Sequence, residues 1–129
     1  MTLWNLISIN IYTDFVWQMS NLDNLEKVIL MNKLLNIYGE LLTDTQKEIL
    51  SDYYEFNLSI SEISENRKIS RAAVEDALKK GSKKIENFEK SLQISAKNEK
   101  VLVLLNQLQN ESDPNLRAQL VDEIRKVIE

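Results

Sequence analysis

The chain has 129 residues, a net charge of −4 at pH 7, and 43% hydrophobic and 28% charged residues, which are ordinary globular proportions. That length can bury a real core without disulfides or metals. Cysteine and histidine are absent, which excludes disulfides, thiol chemistry, the usual zinc sites and histidine general-base catalysis. We therefore predict a binding protein rather than an enzyme, with no catalytic residues, no cofactor and no metal.

The chain contains only two glycines and one proline. Folds built from strands and turns use both residues in their loops, so their scarcity predicts an all-α protein. The two glycines also cannot form a Gly-rich phosphate-binding loop.

Residues 1–18 are apolar and carry a single charge, Asp14. They lack the basic start and small-residue cleavage pattern of a signal peptide, and polar residues interrupt them, so we expect no membrane span. We interpret them as an extension upstream of a working start at Met19. An anchor for a membrane surface or a partner is the alternative.

The next stretch has helical spacing of its apolar residues from Leu22 onward. Asp23 and Glu26 suit the positive end of the helix dipole in its first turn. We predict that this helix ends near Gly39, in the left-handed C-cap conformation that glycine tolerates.

Three further helix starts carry polar caps. Thr43 with Gln46, and Ser59 with Glu62, have the spacing of a capping box. Ser70 is predicted to cap the following helix, which runs to about Lys90. A bend or break at Gly81 remains open, because glycine costs about 1 kcal/mol relative to alanine inside a helix.

Two more helices complete the chain. One is predicted from about Lys97 to Gln109 with a broad leucine-rich face, and the other opens at Pro114, which fits the first helical position. Such faces usually pack against a core. Because two consecutive helices share the feature, a homodimer interface is the second interpretation.

Residues 59–84 contain two short capped helical patterns, which predict a helix-turn-helix. Residues 67–84 hold seven cations and two anions, so this segment carries +5 while the rest of the chain carries −9. A basic segment in an acidic protein indicates a directed binding surface. The second helix would present its N-terminal end to the major groove, with the lysines further along contacting phosphates. The predicted nucleic-acid-binding residues are Ser70, Arg71, Ala73, Lys79, Lys80, Lys83 and Lys84.

Several blocks in this part of the chain resemble the YlxM family of small bacterial helix-turn-helix proteins. They are LLTDTQ at residues 41–46, DYY at 52–54, LSISEIS at 58–64 and ISRAAV at 69–74, against LLTDKQ, LYY, LSLGEIA and VSRQAV in the family. The resemblance extends from about Met19 to Phe88. It implies an all-helical cytoplasmic protein whose fold is like region four of sigma factors, a winged-helix-like DNA-binding type, followed by C-terminal helices. It also implies a regulatory or accessory role in the signal recognition particle pathway.

The chain departs from the family pattern at the helix crossing and on the second helix. Ser64 replaces an alanine, Arg67 replaces an apolar residue, and Lys68 replaces a small or polar residue of the turn. Glu75 and Asp76 place carboxylates on the predicted recognition helix, where they would repel phosphates unless turned away or reading cytosine amino groups.

These observations predict three regions: an extension at 1–18, a helix-turn-helix domain at 19–90 and a C-terminal helical pair at 91–129. The expected partners are DNA, or the RNA or protein of the signal recognition particle, and a second copy of the chain. The alternative is a protein-interaction module that uses the helix-turn-helix only as a scaffold.

Overall fold

The computed structural model describes residues 23–129, which are helical and contain no strand. The expectations about residues 1–18 and a start at Met19 lie outside the described residues. The helices are α1 (Asn24–Tyr38), a 3₁₀ helix (Gly39–Leu41), α2 (Asp44–Tyr54), α3 (Ile60–Arg67), α4 (Arg71–Leu92), α5 (Ile94–Asn110) and α6 (Pro114–Ile128). The prediction of an all-α fold is confirmed. Within the described part, no helix is both long and apolar enough to cross a membrane.

The predicted helix starts are confirmed in detail. The Thr43 and Ser59 hydroxyls each accept from the backbone N–H three residues on, and the Gln46 and Glu62 side chains bond back to complete both capping boxes. The Ser70 hydroxyl accepts from the Ala73 N–H at 3.0 Å. Each such cap is worth about 1 kcal/mol. These local interactions decide where each helix begins.

Two buried clusters hold the helices together, and α4 contributes to both. The first joins α1, α2 and α4 through Met31, Leu34, Tyr38, Leu42, Leu50 and Ile85. The second joins α2, α3 and α4 through Ile49, Ile63, Val74 and Ala77. Because α4 is shared, it fixes the helix-turn-helix against the rest of the molecule.

The conformation predicted at Gly39 is wrong. The first helix does end at Tyr38, but Gly39 has φ −55° and is right-handed rather than left-handed. The chain continues into the 3₁₀ helix, in which the Leu42 N–H donates to the Gly39 carbonyl at 3.1 Å. The tighter turn supplies partners for the free carbonyls, so no left-handed cap is needed.

Gly81 does not break α4, which continues as one helix to Leu92. Its role is close packing: a Cβ added at Gly81 would lie 2.6 Å from Leu50 Cδ1. Leu50 is fully buried, so it has little room to retreat. The glycine lets α2 and α4 approach each other closely.

The junction of α4 and α5 depends on Glu89, which is only 4% exposed. Its Oε1 accepts from the Tyr38 hydroxyl at 2.6 Å and the Ser95 N–H at 3.0 Å, and its Oε2 accepts from the Ala96 N–H at 3.2 Å. Burial, and next the hydrogen bond to Glu89, raise the pKa of Tyr38. The carboxylate satisfies free N–H groups in the first turn of α5, where the helix dipole also favours negative charge. This explains why α5 begins at Ile94 rather than at the predicted Lys97.

Helices α5 and α6 form an antiparallel pair that we call the C-terminal arm. Leu104 of α5 is buried, whereas α6 has no buried residue. Pro114 occupies the first turn of α6 as predicted, and Asp113 accepts from the Asn115 N–H at 3.0 Å. Apolar side chains remain exposed on both helices: Leu102, Leu105, Leu116, Val121 and Ile128.

We expect Glu89→Gln to lower the free energy of unfolding by about 1–3 kcal/mol, because the amide NH₂ group cannot accept the hydrogen bonds that one carboxylate oxygen receives. Urea denaturation at pH 7 measures this change. The matched control is Glu99→Gln, which removes only an exposed ion pair with Lys33 and should have little effect. Equal stability of the Glu89→Gln and native proteins would contradict the role assigned to this carboxylate.

We expect Gly81→Ala to destabilise the protein by about 1–2 kcal/mol, because the clash with Leu50 outweighs the gain in helix propensity. Thermal melting measures the effect. Gly39→Ala is the control, since an added Cβ there meets only the Lys47 side chain, at 3.6 Å or more. A Gly81→Ala variant more stable than the native protein would show that the close approach of α2 and α4 can relax.

Candidate nucleic-acid interface

The helix-turn-helix consists of α3, a three-residue turn and α4. The Ile69 N–H donates to the Ser64 carbonyl at 3.1 Å, and the Ser64 hydroxyl donates to the Ile69 carbonyl at 2.5 Å. Lys68 ends α3 in the left-handed conformation, with φ 57°. Ile63 and Val74 are fully buried between the two helices. Serine therefore fits the crossing point, because its hydroxyl is satisfied within the turn.

Arg67, which departs from the family pattern, ties α3 to α2. Its Nε donates to Asp52 Oδ2 at 2.6 Å and one terminal nitrogen donates to Glu48 Oε2 at 2.7 Å. The hydrogen bond to Asp52 is the main cause that raises the pKa of Arg67. The Arg67 guanidinium is paired with two carboxylates. Arg67 therefore stabilises the packing of α3 on α2 and is not a free cation of the basic segment.

The residues predicted at the leading end of α4 lie together at its exposed start. Ser70, Arg71 and Ala73 are all exposed. The Ser70 hydroxyl is used in the helix cap, and the Arg71 guanidinium donates to the Ser61 hydroxyl on α3. Arg71 is thus held across the helix-turn-helix, with further N–H groups left to donate.

The four predicted lysines differ in their surroundings. Lys79 is exposed and makes no ion pair among the described residues. Lys80 pairs with Asp76 at 3.1 Å and Lys83 with Glu86 at 3.6 Å. Lys84 is half-buried and donates to Gln46 Oε1 on α2 at 3.1 Å. Lys79, Lys80 and Lys83 therefore share the exposed side of α4, whereas Lys84 is turned towards α2.

The carboxylates on α4 also differ. Asp76 is turned onto Lys80. Glu75 lies one helical turn after Arg71, yet within residues 23–129 it forms no ion pair, because Arg71 reaches Ser61 instead. The formal +5 of residues 67–84 is consequently reduced at the surface by local pairing, and the start of α4 presents both a donor and an acceptor.

Two contacts were not predicted from the sequence. For the Arg67 contact the sequence does contain an indication, because Glu48 and Asp52 are four residues apart and so lie on one face of α2, where one cation can reach both. Ser61 has none, since its bond to Arg71 depends on the crossing of α3 and α4. In the part of the chain that the structure describes, no group of three acidic side chains converges as a metal site would require.

Known proteins resemble this chain over most of its length. The UPF0122 family, helix-turn-helix proteins described as YlxM / p13 like, matches residues 25–126. A UPF0122 protein of Mycoplasma capricolum is 37% identical over 105 residues, covering 81% of this chain and 90% of the relative. One of Halalkalibacterium halodurans is 38% identical over 89 residues, covering 69% and 82%. One of Malacoplasma penetrans is 48% identical over 59 residues, covering 46% and 55%.

Proposed function

Because the chain belongs to the UPF0122 family of YlxM / p13-like helix-turn-helix proteins, which is not an enzyme family, we propose that it is a regulatory protein that binds nucleic acid. The proposed interface is the exposed start of α4 together with the lysines that follow. The observation that carries the proposal is the position of Arg71 and Lys79, both exposed on a helix whose other face is packed against α2 and α3.

The proposed contacts divide into two kinds. Arg71 lies in the first turn, where a recognition helix meets base edges or phosphates in the major groove. Lys79, Lys80 and Lys83 lie further along and contact phosphates, which adds salt-dependent affinity without sequence choice. Lys80 and Lys83 must give up their ion pairs with Asp76 and Glu86 before they can contact phosphates. The proposed affinity is therefore modest. Ser70 and Ala73 form the cap at the start of the helix and are not assigned a contact to a base. Lys84 keeps its hydrogen bond to Gln46 of α2 and does not contact the nucleic acid.

The proposed setting is accessory to the signal recognition particle pathway, the role that resemblance to the YlxM proteins implies. Duplex DNA and signal recognition particle RNA are therefore the two polymers to compare. An unrelated structured RNA serves as the reference for binding that depends on charge alone.

Replacing both Arg71 and Lys79 by alanine should weaken binding to the preferred polymer by about tenfold or more. It should also reduce the slope of log affinity against log salt by roughly 1–2, because two cations no longer displace counterions. Fluorescence anisotropy across a salt series measures both quantities. The control is Arg125→Ala with Lys126→Ala, which removes the same charge from the last turn of α6.

Two results would contradict the proposed interface. One is the absence of binding by the native protein to either polymer at low salt. The other is an equal loss of affinity in the α6 control, which would indicate attraction by overall charge rather than contact through α4.

We also propose that the C-terminal arm forms a homodimer, because α6 buries no residue although its apolar side chains recur at helical spacing. Val121 and Ile128 are seven residues apart and share one face of α6, and Leu102 and Leu105 share one face of α5. Two such pairs packed together would bury these faces in a four-helix arrangement. The alternative is that these exposed apolar faces bind a protein of the targeting machinery.

We expect the native protein to sediment at twice the chain mass of 15.0 kDa, and Leu105→Glu with Val121→Glu to sediment at the mass of one chain. Charges placed on the apolar faces oppose their burial. Leu25→Glu is the control, because Leu25 is 68% exposed on α1, outside the arm. A native protein that is monomeric at all accessible concentrations would refute the homodimer and leave the alternative.

A further inference from the structure

A pocket of about 350 Å³ lies beside the start of α4, where the end of α2 and the first turn of α3 meet it. We call it the α2–α4 pocket. It is lined by Tyr53, Ser59, Ile60, Ser61, Arg71 and Glu75. The pocket combines an aromatic ring, a cation and an anion in one concave surface, which suits a flat heteroaromatic ligand that stacks and forms hydrogen bonds.

Tyr53 forms one wall of the pocket, and its ring packs against the neighbouring Tyr54 ring. Its ring meets the Tyr54 ring edge-on, with 4.9 Å between centroids and 81° between planes. Tyr54 is held in turn, because it is partly buried and its backbone carbonyl accepts from Asn32 Nδ2 at 3.1 Å. Tyr53 itself remains 36% exposed. A large aromatic residue left partly open beside a pocket is available for stacking.

Arg71 and Glu75 give the pocket a donor and an acceptor next to each other. The guanidinium is fixed by its hydrogen bond to Ser61, and the Glu75 carboxylate has no ion-pair partner among residues 23–129. An isolated phosphate would be drawn to Arg71 but repelled by Glu75. A nucleobase that carries an exocyclic amino group satisfies both, since the amino group donates to Glu75 while a ring nitrogen or carbonyl accepts from Arg71.

A base can stack on Tyr53 only if one of its faces is free. In a duplex both faces are covered by neighbouring pairs, whereas bases in loops, bulges and single strands can be splayed onto aromatic side chains. We propose that the α2–α4 pocket binds an unpaired nucleobase with an exocyclic amino group, that is cytosine, adenine or guanine, in preference to uracil. This inference rests on the proposed function, because it assumes that α4 engages nucleic acid, and it adds a site specific for an unstacked base.

The test measures anisotropy of the full chain with labelled single-stranded oligo(rC), oligo(rA), oligo(rU) and oligo(dC), and with a mixed-sequence duplex. We expect oligo(rC) and oligo(rA) to bind about tenfold more tightly than oligo(rU). Oligo(dC) distinguishes the two sources of an unpaired base: weaker binding than oligo(rC) assigns the site to RNA, and equal binding assigns it to single strands of either sugar.

Substitutions at two residues locate the site. Tyr53→Leu should weaken binding to oligo(rC) about tenfold, because it removes the stacking surface, while Tyr53→Phe should retain it. Glu75→Gln should reduce the preference for oligo(rC) over oligo(rU) to less than about twofold, because an amide can donate as well as accept. Both residues are exposed, and thermal melting verifies that each variant is folded.

The possible failures are distinguishable. Equal binding of oligo(rC) and oligo(rU), or unchanged binding in Tyr53→Leu, overturns the base pocket even if the duplex binds through Arg71 and Lys79. Loss of all binding to single strands and duplex by the native protein overturns the proposed function together with this inference.

Discussion

The Glu89 carboxylate of α4 accepts hydrogen bonds from two other helices, and the junction of the C-terminal arm with the rest of the described helices depends on that contact. It lies near the end of α4, receives the Tyr38 hydroxyl from the end of α1, and receives the Ser95 and Ala96 N–H groups from the start of α5. The Ile94 N–H donates to the Tyr38 hydroxyl at 3.2 Å, which closes the network. A buried anion without a cationic partner is tolerated because tyrosine and a helix N-terminus together satisfy it. These bonds, together with the burial of Ala96 and the Lys33–Glu99 ion pair, fix the angle at Gln93 and the direction of the C-terminal arm.

Much of the fold could be predicted because its signals are local. Capping boxes at Thr43 and Ser59 and the cap at Ser70 each depend on residues three positions apart, so the sequence is sufficient to place those helix starts. Where distant residues decide the outcome, the sequence left it open or gave no indication of it. Gly81 was interpreted through helix propensity, but its role depends on Leu50 of another helix. Glu89 has the sequence surroundings of an exposed carboxylate, and its buried position depends on the contact with Tyr38 of another helix.

The candidate interface stays a prediction; the sequence indicates which cations cluster there, but not how all of them are paired. The sequence shows a basic segment, and the structure does place Arg71 and Lys79 on the exposed start and side of α4. Formal charge, however, does not describe which cations are available. Arg67 is used to join α3 to α2, and Lys80 is paired with Asp76. The Lys80–Asp76 pair has the i,i+4 spacing of neighbours on one helix and is readable from the sequence, whereas the Arg67 contacts depend on how α3 crosses α2. The resulting surface carries mixed hydrogen-bonding groups rather than a uniform positive field.

The uninterrupted course of α4 has a mechanical consequence. A helix of 22 residues is about 33 Å long, and it is continuous from the cap at Ser70 to the left-handed residue Gln93. Because Gly81 is packed against Leu50 within an unbroken helix, α4 spans the distance between its two ends as one continuous element. The same span sets a fixed reach, so whatever contacts the two ends must be separated by that distance.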